Sequence, residues 1–168
     1  KGVLEFIDLA EKMPEIQFVW AGDFAFKGIS EGRKEIMEHM DDLPDNVHFL
    51  GLVERNQMNE FFNMADVMLQ LSFEELFPMT ILESMNANIP LLLRDLPEYK
   101  PILFDYYLKG TSQQTFKEQL TKLKEDPEYY AMACEGSKRG EQFYSKESIL
   151  LQWQQFYDKV ATERNLKS

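Results

Sequence analysis

The chain has 168 residues, 44% of them hydrophobic and including 13 Phe and 7 Tyr, which suits one globular domain with a full core. Its net charge of −11 and the scatter of its 18 Lys and Arg residues argue against nucleic acid as a main partner, because phosphate backbones are bound by concentrated positive charge. A single cysteine leaves no internal disulfide, and no apolar run approaches the ~20 residues that a membrane-spanning helix needs.

Short apolar runs alternate with helical patterns along the chain. Helical spacing begins at Val3 and is ended by Pro14, and the next apolar run is closed by the turn Gly22-Asp23. The predicted strands cover 16–21, 47–50, 66–71, 90–93 and 106–108. The predicted helices cover 3–13, 30–40, 57–64, 79–87, 112–124, 127–142 and 146–164.

This alternation is typical of a parallel sheet covered by helices on both faces. It predicts an α/β chain with a Rossmann-like, doubly wound parallel sheet. Because the first element is a helix and the chain opens without Met, we expect a fragment whose first strand precedes Lys1 in a longer protein. The predicted domain covers residues 1–145, and a C-terminal helical segment covers 146–168.

The C-terminal segment carries one broad apolar stripe with a helical period. Two interpretations remain open at this point: the helix packs on its own domain, or it reaches another domain. The stripe consists of Ile149, Leu150, Trp153, Phe156, Tyr157 and Val160.

In open α/β sheets, ligands bind outside the carboxyl ends of the strands. The residues that directly follow each predicted strand are therefore the candidates for a binding site. They are Gly22-Asp23-Phe24, Gly51-Leu52-Val53-Glu54, Ser72-Phe73-Glu74-Glu75 and Arg94-Asp95.

Glu75 and Glu83 bracket the predicted start of one helix. The backbone N–H groups of Met79 and Thr80 lack partners there and favour an anion such as a diphosphate. A carboxylate would repel that anion, so Glu75 and Glu83 suit hydroxyl groups beside it, and the combination indicates a sugar nucleotide. The alternative for Glu83 is compensation of the helix dipole, which contributes ~0.3–1 kcal/mol.

Other kinds of site have little support. His39 and His48 lie on different predicted elements, which argues against a zinc pair. Neither common glycine-rich phosphate loop is present, nor is the pair of aspartates with which many sugar transferases clamp a metal. We therefore expect neither a metal nor a cofactor.

Several short motifs together resemble the C-terminal, nucleotide-sugar-binding domain of the large group 1 family of retaining glycosyltransferases. That family has the two-domain GT-B fold, so the resemblance implies the C-terminal half of such an enzyme. Its hallmark is two glutamates separated by seven residues, as Glu75 and Glu83 are. The other matching motifs are Lys1-Gly2, Gly22-Asp23, Gly51-Leu52-Val53 and Ala65-Asp66.

The resemblance also implies roles for individual residues, and the expected catalytic pair is Glu75 and Lys1. Glu75 is expected to hold hydroxyls of the donor sugar, and Lys1 the diphosphate. Glu83 is expected to bind the ribose and Val53 the base, while Gly22 and Asp23 belong to the same donor site. Backbone groups of Phe77, Pro78, Met79 and Thr80 are expected to hold the sugar and diphosphate.

Two positions depart from the family pattern. Pro78 and Asn88 stand where the family usually has Gly, so the backbone path at Pro78 can differ, whereas Asn88 tolerates the left-handed conformation at a helix end. The segments 76–80 and 91–99 look like those of glycolipid synthases of Gram-positive bacteria, although that variant has Asn where Leu76 stands.

The resemblance implies transfer of a sugar, with UDP-glucose expected as donor, with retention and without a metal, to a diacylglycerol glycolipid or another glycan acceptor. The acceptor and the membrane are expected to contact the missing N-terminal half of a cytoplasmic protein at the inner face of the membrane. The alternative is a non-catalytic nucleotide-binding or regulatory α/β domain. A phosphorylase of the same two-domain fold ranks lower, because no lysine lies in a context typical of a pyridoxal site.

Overall fold

The computed structural model describes residues 1–22 and 42–165. The strands are β1 Phe18–Ala21, β2 Val47–Gly51, β3 Met68–Gln70, β4 Leu91–Arg94 and β5 Leu108–Gly110. The helices are α1 Val3–Glu11, α2 Met58–Met64, α3 Met79–Asn86, α4 Lys100–Leu103, α5 Gln113–Glu125, α6 Pro127–Tyr144 and α7 Lys146–Asn165, with a 3₁₀ turn at Pro97–Tyr99. The helix predicted over 30–40 lies outside the described residues.

All strand pairs are parallel, which confirms the predicted α/β architecture. The strands form two sheets among the described residues, one with the order β1-β2 and one with the order β3-β4-β5. In the second sheet, Leu92 of β4 lies between Leu69 and Leu108 of its neighbours. The carboxyl ends of β3, β4 and β5 therefore point the same way, toward the predicted site.

Helix α1 packs against both sheets. The ring of Phe6 lies 5.4 Å from the ring of Phe18 and 5.2 Å from that of Trp20, both on β1. The same buried cluster contains Leu71 and Leu92 from the other sheet. One amphipathic helix thus joins the two sheets, because its apolar face is buried in a cluster to which both sheets contribute side chains.

Strand β4 is buried on both faces. Leu92 belongs to the cluster beneath α1, while Leu91 and Leu93 belong to a second cluster with Ile81 and Met85 of α3. This explains why the β4 sequence is a continuous apolar run rather than an alternating one.

The segment between β4 and β5 is more regular than its sequence indicates. Pro97 starts a 3₁₀ turn that runs into α4, where an irregular stretch was predicted. The fifth strand begins at Leu108 rather than at 106, because the N–H of Tyr106 closes a turn with the carbonyl of Leu103 at 3.0 Å. Tyr107 is buried, donates to Asp95 Oδ1 at 3.0 Å and packs edge-on against Tyr99.

Two further predictions concern helix ends. Asn88 has a φ of 62° just after α3, so the left-handed conformation expected at this position is confirmed. The interpretation that the stripe of α7 packs on its own domain is wrong, since Trp153, Phe156 and Tyr157 are all exposed.

No described helix is long and apolar enough to cross a bilayer.

Candidate functional site

Lys1 meets Glu75 at the carboxyl end of β3. Gly2, with a φ of 79°, lies so close to this strand end that a Cβ atom built on it would be 2.5 Å from the carbonyl oxygen of Leu71. This close approach carries Lys1 to the loop after β3, where its Nζ atom forms an ion pair with Oε1 of Glu75. The structure therefore brings together the two residues expected to be catalytic.

The carboxylate of Glu75 is drawn inward, with its side chain 8% exposed. Gln70 Nε2 on β3 donates to its Oε1 at 2.8 Å. Burial raises the pKa of Glu75, but hydrogen bonds from Lys1, Ser72 and Gln70 together with the charge of Lys1 outweigh it, so the pKa lies below its ordinary value. Glu75 is thus an ionised, oriented acceptor beside a cation.

Helix α3 begins at Met79, as predicted. Pro78 is its N-cap, with φ −70° and ψ 120°, and no side chain caps the first turn. The ring of Phe77 lies 5.7 Å from that of Tyr144, so this side chain packs inward and only its backbone is available to a ligand. The positive end of α3 lies directly after the loop that holds Glu75, and Thr80 follows in the first turn.

Glu83 lies one turn further along α3, beside a cavity of about 280 Å³. Its Oε1 atom is 3.9 Å from Nη2 of Arg55, a residue of the segment after β2. The cavity connects this segment with α2 and α3. Its lining residues are Arg55, Met58, Asn59, Phe62, Leu82, Glu83 and Asn86.

The ends of β1 and β2 meet at a pair of glycines. Gly22 N–H donates to the carbonyl oxygen of Gly51 at 2.8 Å, and both glycines have positive φ angles. Val53 follows two residues later and is half-buried. Asp23 lies outside the described residues, so its expected place in the donor site stays a prediction.

The residues at the end of β4 make contacts that stabilise the fold. The guanidinium of Arg94 donates to the Leu71 carbonyl at 3.0 Å and to Glu5 at 2.8 Å. Asp95 accepts from Tyr107 and pairs with Lys109 at 3.2 Å. These contacts hold β4 to its neighbours and leave neither side chain free.

Three residues near the site were not identified from the sequence. Gln70 orients Glu75, Arg55 faces Glu83, and the buried hydroxyl of Tyr99 has no hydrogen-bond partner among the described residues. Burial raises the pKa of Tyr99, and the charge of Glu75 raises it further. Of the three, only Gln70 could have been identified from the sequence, because it is a polar residue inside an otherwise apolar predicted strand.

A larger cavity, about 520 Å³, opens at the opposite edge, before β1 and β2. The carboxylates of Glu11, Asp42 and Asp45 are among its lining groups and would repel a diphosphate. Within 1–22 and 42–165, no group of three or more His, Cys, Asp or Glu residues is placed to hold a metal ion. The strand ends around Glu75 and Glu83 are therefore the better candidate site.

Comparison with known proteins agrees with the fold and the motifs. The family model of glycosyl transferases group 1 matches residues 1–139. The chain is 38% identical over 161 residues to an alpha-galactosylglucosyldiacylglycerol synthase of Streptococcus pneumoniae. That match covers 96% of this chain and 43% of the relative, so the chain spans less than half of the relative's length.

Solved structures show the same architecture. The Anabaena protein HepE in complex with UDP-glucose superposes with a TM-score of 0.75 at 18% identity, covering 96% of this chain and 45% of HepE. The C-terminal domain of a group 1 family glycosyl transferase from Francisella tularensis gives 0.67 at 20% identity, covering 89% of this chain and 80% of that domain. The expected fold class, the C-terminal half of a two-domain GT-B protein, is confirmed.

Proposed function

The chain belongs to the group 1 family of glycosyl transferases, and we propose that it forms the half of such an enzyme that binds a nucleoside-diphosphate sugar. One observation carries the proposal: the ionised Glu75–Lys1 pair and Glu83 with its cavity lie on either side of a helix start that no side chain caps. A diphosphate at the helix start would then have hydroxyl-binding carboxylates on both sides.

UDP-glucose is the donor that we propose. Glu83 accepts hydrogen bonds from the ribose hydroxyls, and the base lies toward Val53 and the cavity after β2. Glu75 accepts from hydroxyls of the sugar, while Lys1 and the backbone of residues 77–80 hold the diphosphate. Gly22 and Asp23 complete the site at the end of β1. The complex of HepE with UDP-glucose supports this choice of donor.

The proposed reaction transfers the sugar with retention of configuration and relies on electrostatic stabilisation. The bond between the anomeric carbon and the diphosphate breaks as the acceptor oxygen bonds to the same face of that carbon. Lys1 and the N–H groups at the start of α3 stabilise the negative charge that develops on the diphosphate. The proton of the attacking hydroxyl passes to the departing diphosphate, so neither a metal nor a protein base takes part.

The acceptor that we propose is a diacylglycerol glycolipid, in keeping with the Streptococcus pneumoniae relative's name. The remainder of a longer protein supplies most of the acceptor site and the membrane contact, at the inner face of the membrane and in the cytoplasm. The exposed stripe of α7 reaches that remainder, which makes residues 146–168 a connecting segment and 1–145 the donor domain.

Titration calorimetry of this chain with UDP tests the donor site. We expect measurable binding that Glu83→Ala weakens about 10-fold to 100-fold, the effect of losing hydrogen bonds to a charged group. Glu11→Ala, the same substitution at an exposed glutamate in the last turn of α1, is the control and leaves the affinity unchanged. If the folded chain shows no binding at millimolar UDP, that result would contradict the proposal and favour a non-catalytic regulatory domain.

A further inference from the structure

The segment that holds Glu75 also carries three large apolar side chains in contact with solvent. Phe73 is 57% exposed, Leu76 is 90% exposed and Met79 is 56% exposed. These three residues, here called the apolar rim, flank a carboxylate that is itself drawn inward. The usual order, with apolar groups inside and charges outside, is thus reversed at the edge of the proposed donor site.

Packing of the fold does not require the apolar rim. Leu71 and Phe77 of the same segment already fill the two cores. Phe73 is held in place by a cation–π contact, because the guanidinium of Arg94 lies over its ring, 4.1 Å from the ring centre. Leu76 makes no use of its side chain in the fold, because nearly all of that side chain is in contact with solvent.

The position of the apolar rim indicates what it contacts. Transfer requires the attacking hydroxyl to lie ~3–3.5 Å from the anomeric carbon, so the acceptor must lie beside the sugar that Glu75 is proposed to hold. We propose that the apolar rim binds the hydrocarbon part of a lipid acceptor. This inference rests on the proposed function and assigns part of the acceptor site to this chain, not only to the remainder of a longer protein.

A negative charge beside the apolar rim favours neutral lipids over anionic ones. Glu74 is exposed in the middle of the segment and would repel an anionic headgroup. A neutral lipid such as diacylglycerol or its glycoside avoids that repulsion. Burial of one methylene improves affinity about fourfold, and at a half-open surface we expect about twofold for each added methylene.

Methionine-methyl NMR of this chain, saturated with UDP, tests the inference. The probes are n-alkyl glucosides from butyl to decyl, each below its micelle concentration. We expect the Met79 methyl signal to respond, with an affinity that rises about twofold per methylene. Met132 on α6 is 51% exposed and remote in sequence from the segment, and it serves as the internal control whose signal does not follow chain length.

A matched pair of substitutions sharpens the test. Leu76→Asn should weaken decyl glucoside binding at least about threefold, the loss of a small part of one leucine's burial, and leave UDP affinity unchanged. Leu151→Asn, on an exposed leucine of α7 outside the apolar stripe, should change neither.

Equal responses of Met79 and Met132, or unaltered binding in Leu76→Asn, would overturn the inference. A Met79 signal that does not change with any alkyl glucoside would also overturn it. UDP affinity measured on the same samples keeps the two proposals apart. Absence of UDP binding counts against the donor site. Normal UDP binding without a response of the Met79 signal to the alkyl glucosides counts only against the lipid contact.

Discussion

Gly2 occupies a position that admits no side chain. Its φ of 79° disfavours other residues by ~1–2 kcal/mol, and an added Cβ would also press on the backbone of Leu71. Gly51 has a similar φ of 67° but open space around it, which makes it a matched control.

We expect Gly2→Ala to lower the free energy of unfolding by about 3 kcal/mol and Gly51→Ala by only ~1–2 kcal/mol. Urea denaturation of the two variants, compared with the unaltered chain, measures the difference. Equal losses would show that strain alone, and not the contact with Leu71, fixes the path of the backbone into α1.

Glu75 makes the stability of the chain depend on pH. Its pKa is lowered in the folded chain, since hydrogen bonds from Lys1, Ser72 and Gln70 outweigh burial. The stabilisation is therefore fully present above the ordinary glutamate pKa of ~4.3 and is lost as the pH falls through the lowered value.

Between about pH 6 and about pH 3, the unaltered chain should lose more unfolding free energy than Glu75→Gln, which cannot titrate at this position. Denaturant melts at several pH values measure the two slopes. Parallel slopes would mean that the Lys1–Glu75 pair forms in the unfolded chain as well, or contributes nothing to folding.

Residue chemistry predicted the helix start between the two glutamates, but not the contacts that surround it. The spacing of Glu75 and Glu83 around a helix start was visible in the sequence, and the helix begins where it was expected. The pairing of Lys1 with Glu75 spans 74 positions and depends on the approach of Gly2 to β3, which no local pattern encodes. The contact of Arg55 with Glu83 likewise depends on how α2 and α3 pack.

Capping residues mark the starts of two helices, and both helices begin within one residue of their predicted starts. Ser112 caps α5 by accepting from Thr115 N–H, and Asp126 caps α6, whose first residue is Pro127. The segment 97–103 was not predicted to be helical because its prolines are read as breakers, yet Pro97 suits the first turn of a short helix. The fifth strand is likewise shifted by two residues from its predicted position, because the N–H of Tyr106 is used in a turn that it closes with the carbonyl of Leu103.

One buried serine ties α6 to the start of β4. Ser137 Oγ donates to the carbonyl of Ile89 at 2.6 Å and is fully buried. Ser84 is equally buried on α3 but donates within its own helix, to the Thr80 carbonyl at 2.7 Å.

Ser137→Ala should cost about 1–3 kcal/mol, because it leaves a buried carbonyl without its partner. Ser84→Ala should cost less than about 1 kcal/mol, since the Thr80 carbonyl keeps its bond within the helix. Thermal and urea unfolding of both variants measure the contrast. A Ser84→Ala loss as large as that of Ser137→Ala would show that volume, rather than the hydrogen bond between elements, decides the effect.

At the scale of the whole molecule, α7 adds surface but little packing. Its large apolar side chains are exposed along most of its length. We expect a chain that ends at Ser145 to unfold within a few degrees of the full chain's midpoint, because few buried contacts are lost.

Circular dichroism melts of the two chains test this expectation, and the shorter chain should also associate less at high concentration. A drop of the midpoint by ten degrees or more, on the scale of about 3–5 kcal/mol for a domain of this size, would mean that α7 is part of the domain core. The proposed boundary between 145 and 146 would then be wrong.

Strand β1 pairs only with β2, and β3 only with β4, within the described residues, although α1 packs across both sheets. In this part of the chain, β1 and β3 each therefore have one edge whose backbone N–H and C=O groups pair with no other strand. An extended peptide with alternating apolar side chains is the natural ligand for such an edge. The chain is therefore suited to fragment complementation. A short synthetic peptide that binds as an added strand would raise the stability of the chain, and that increase would measure the binding.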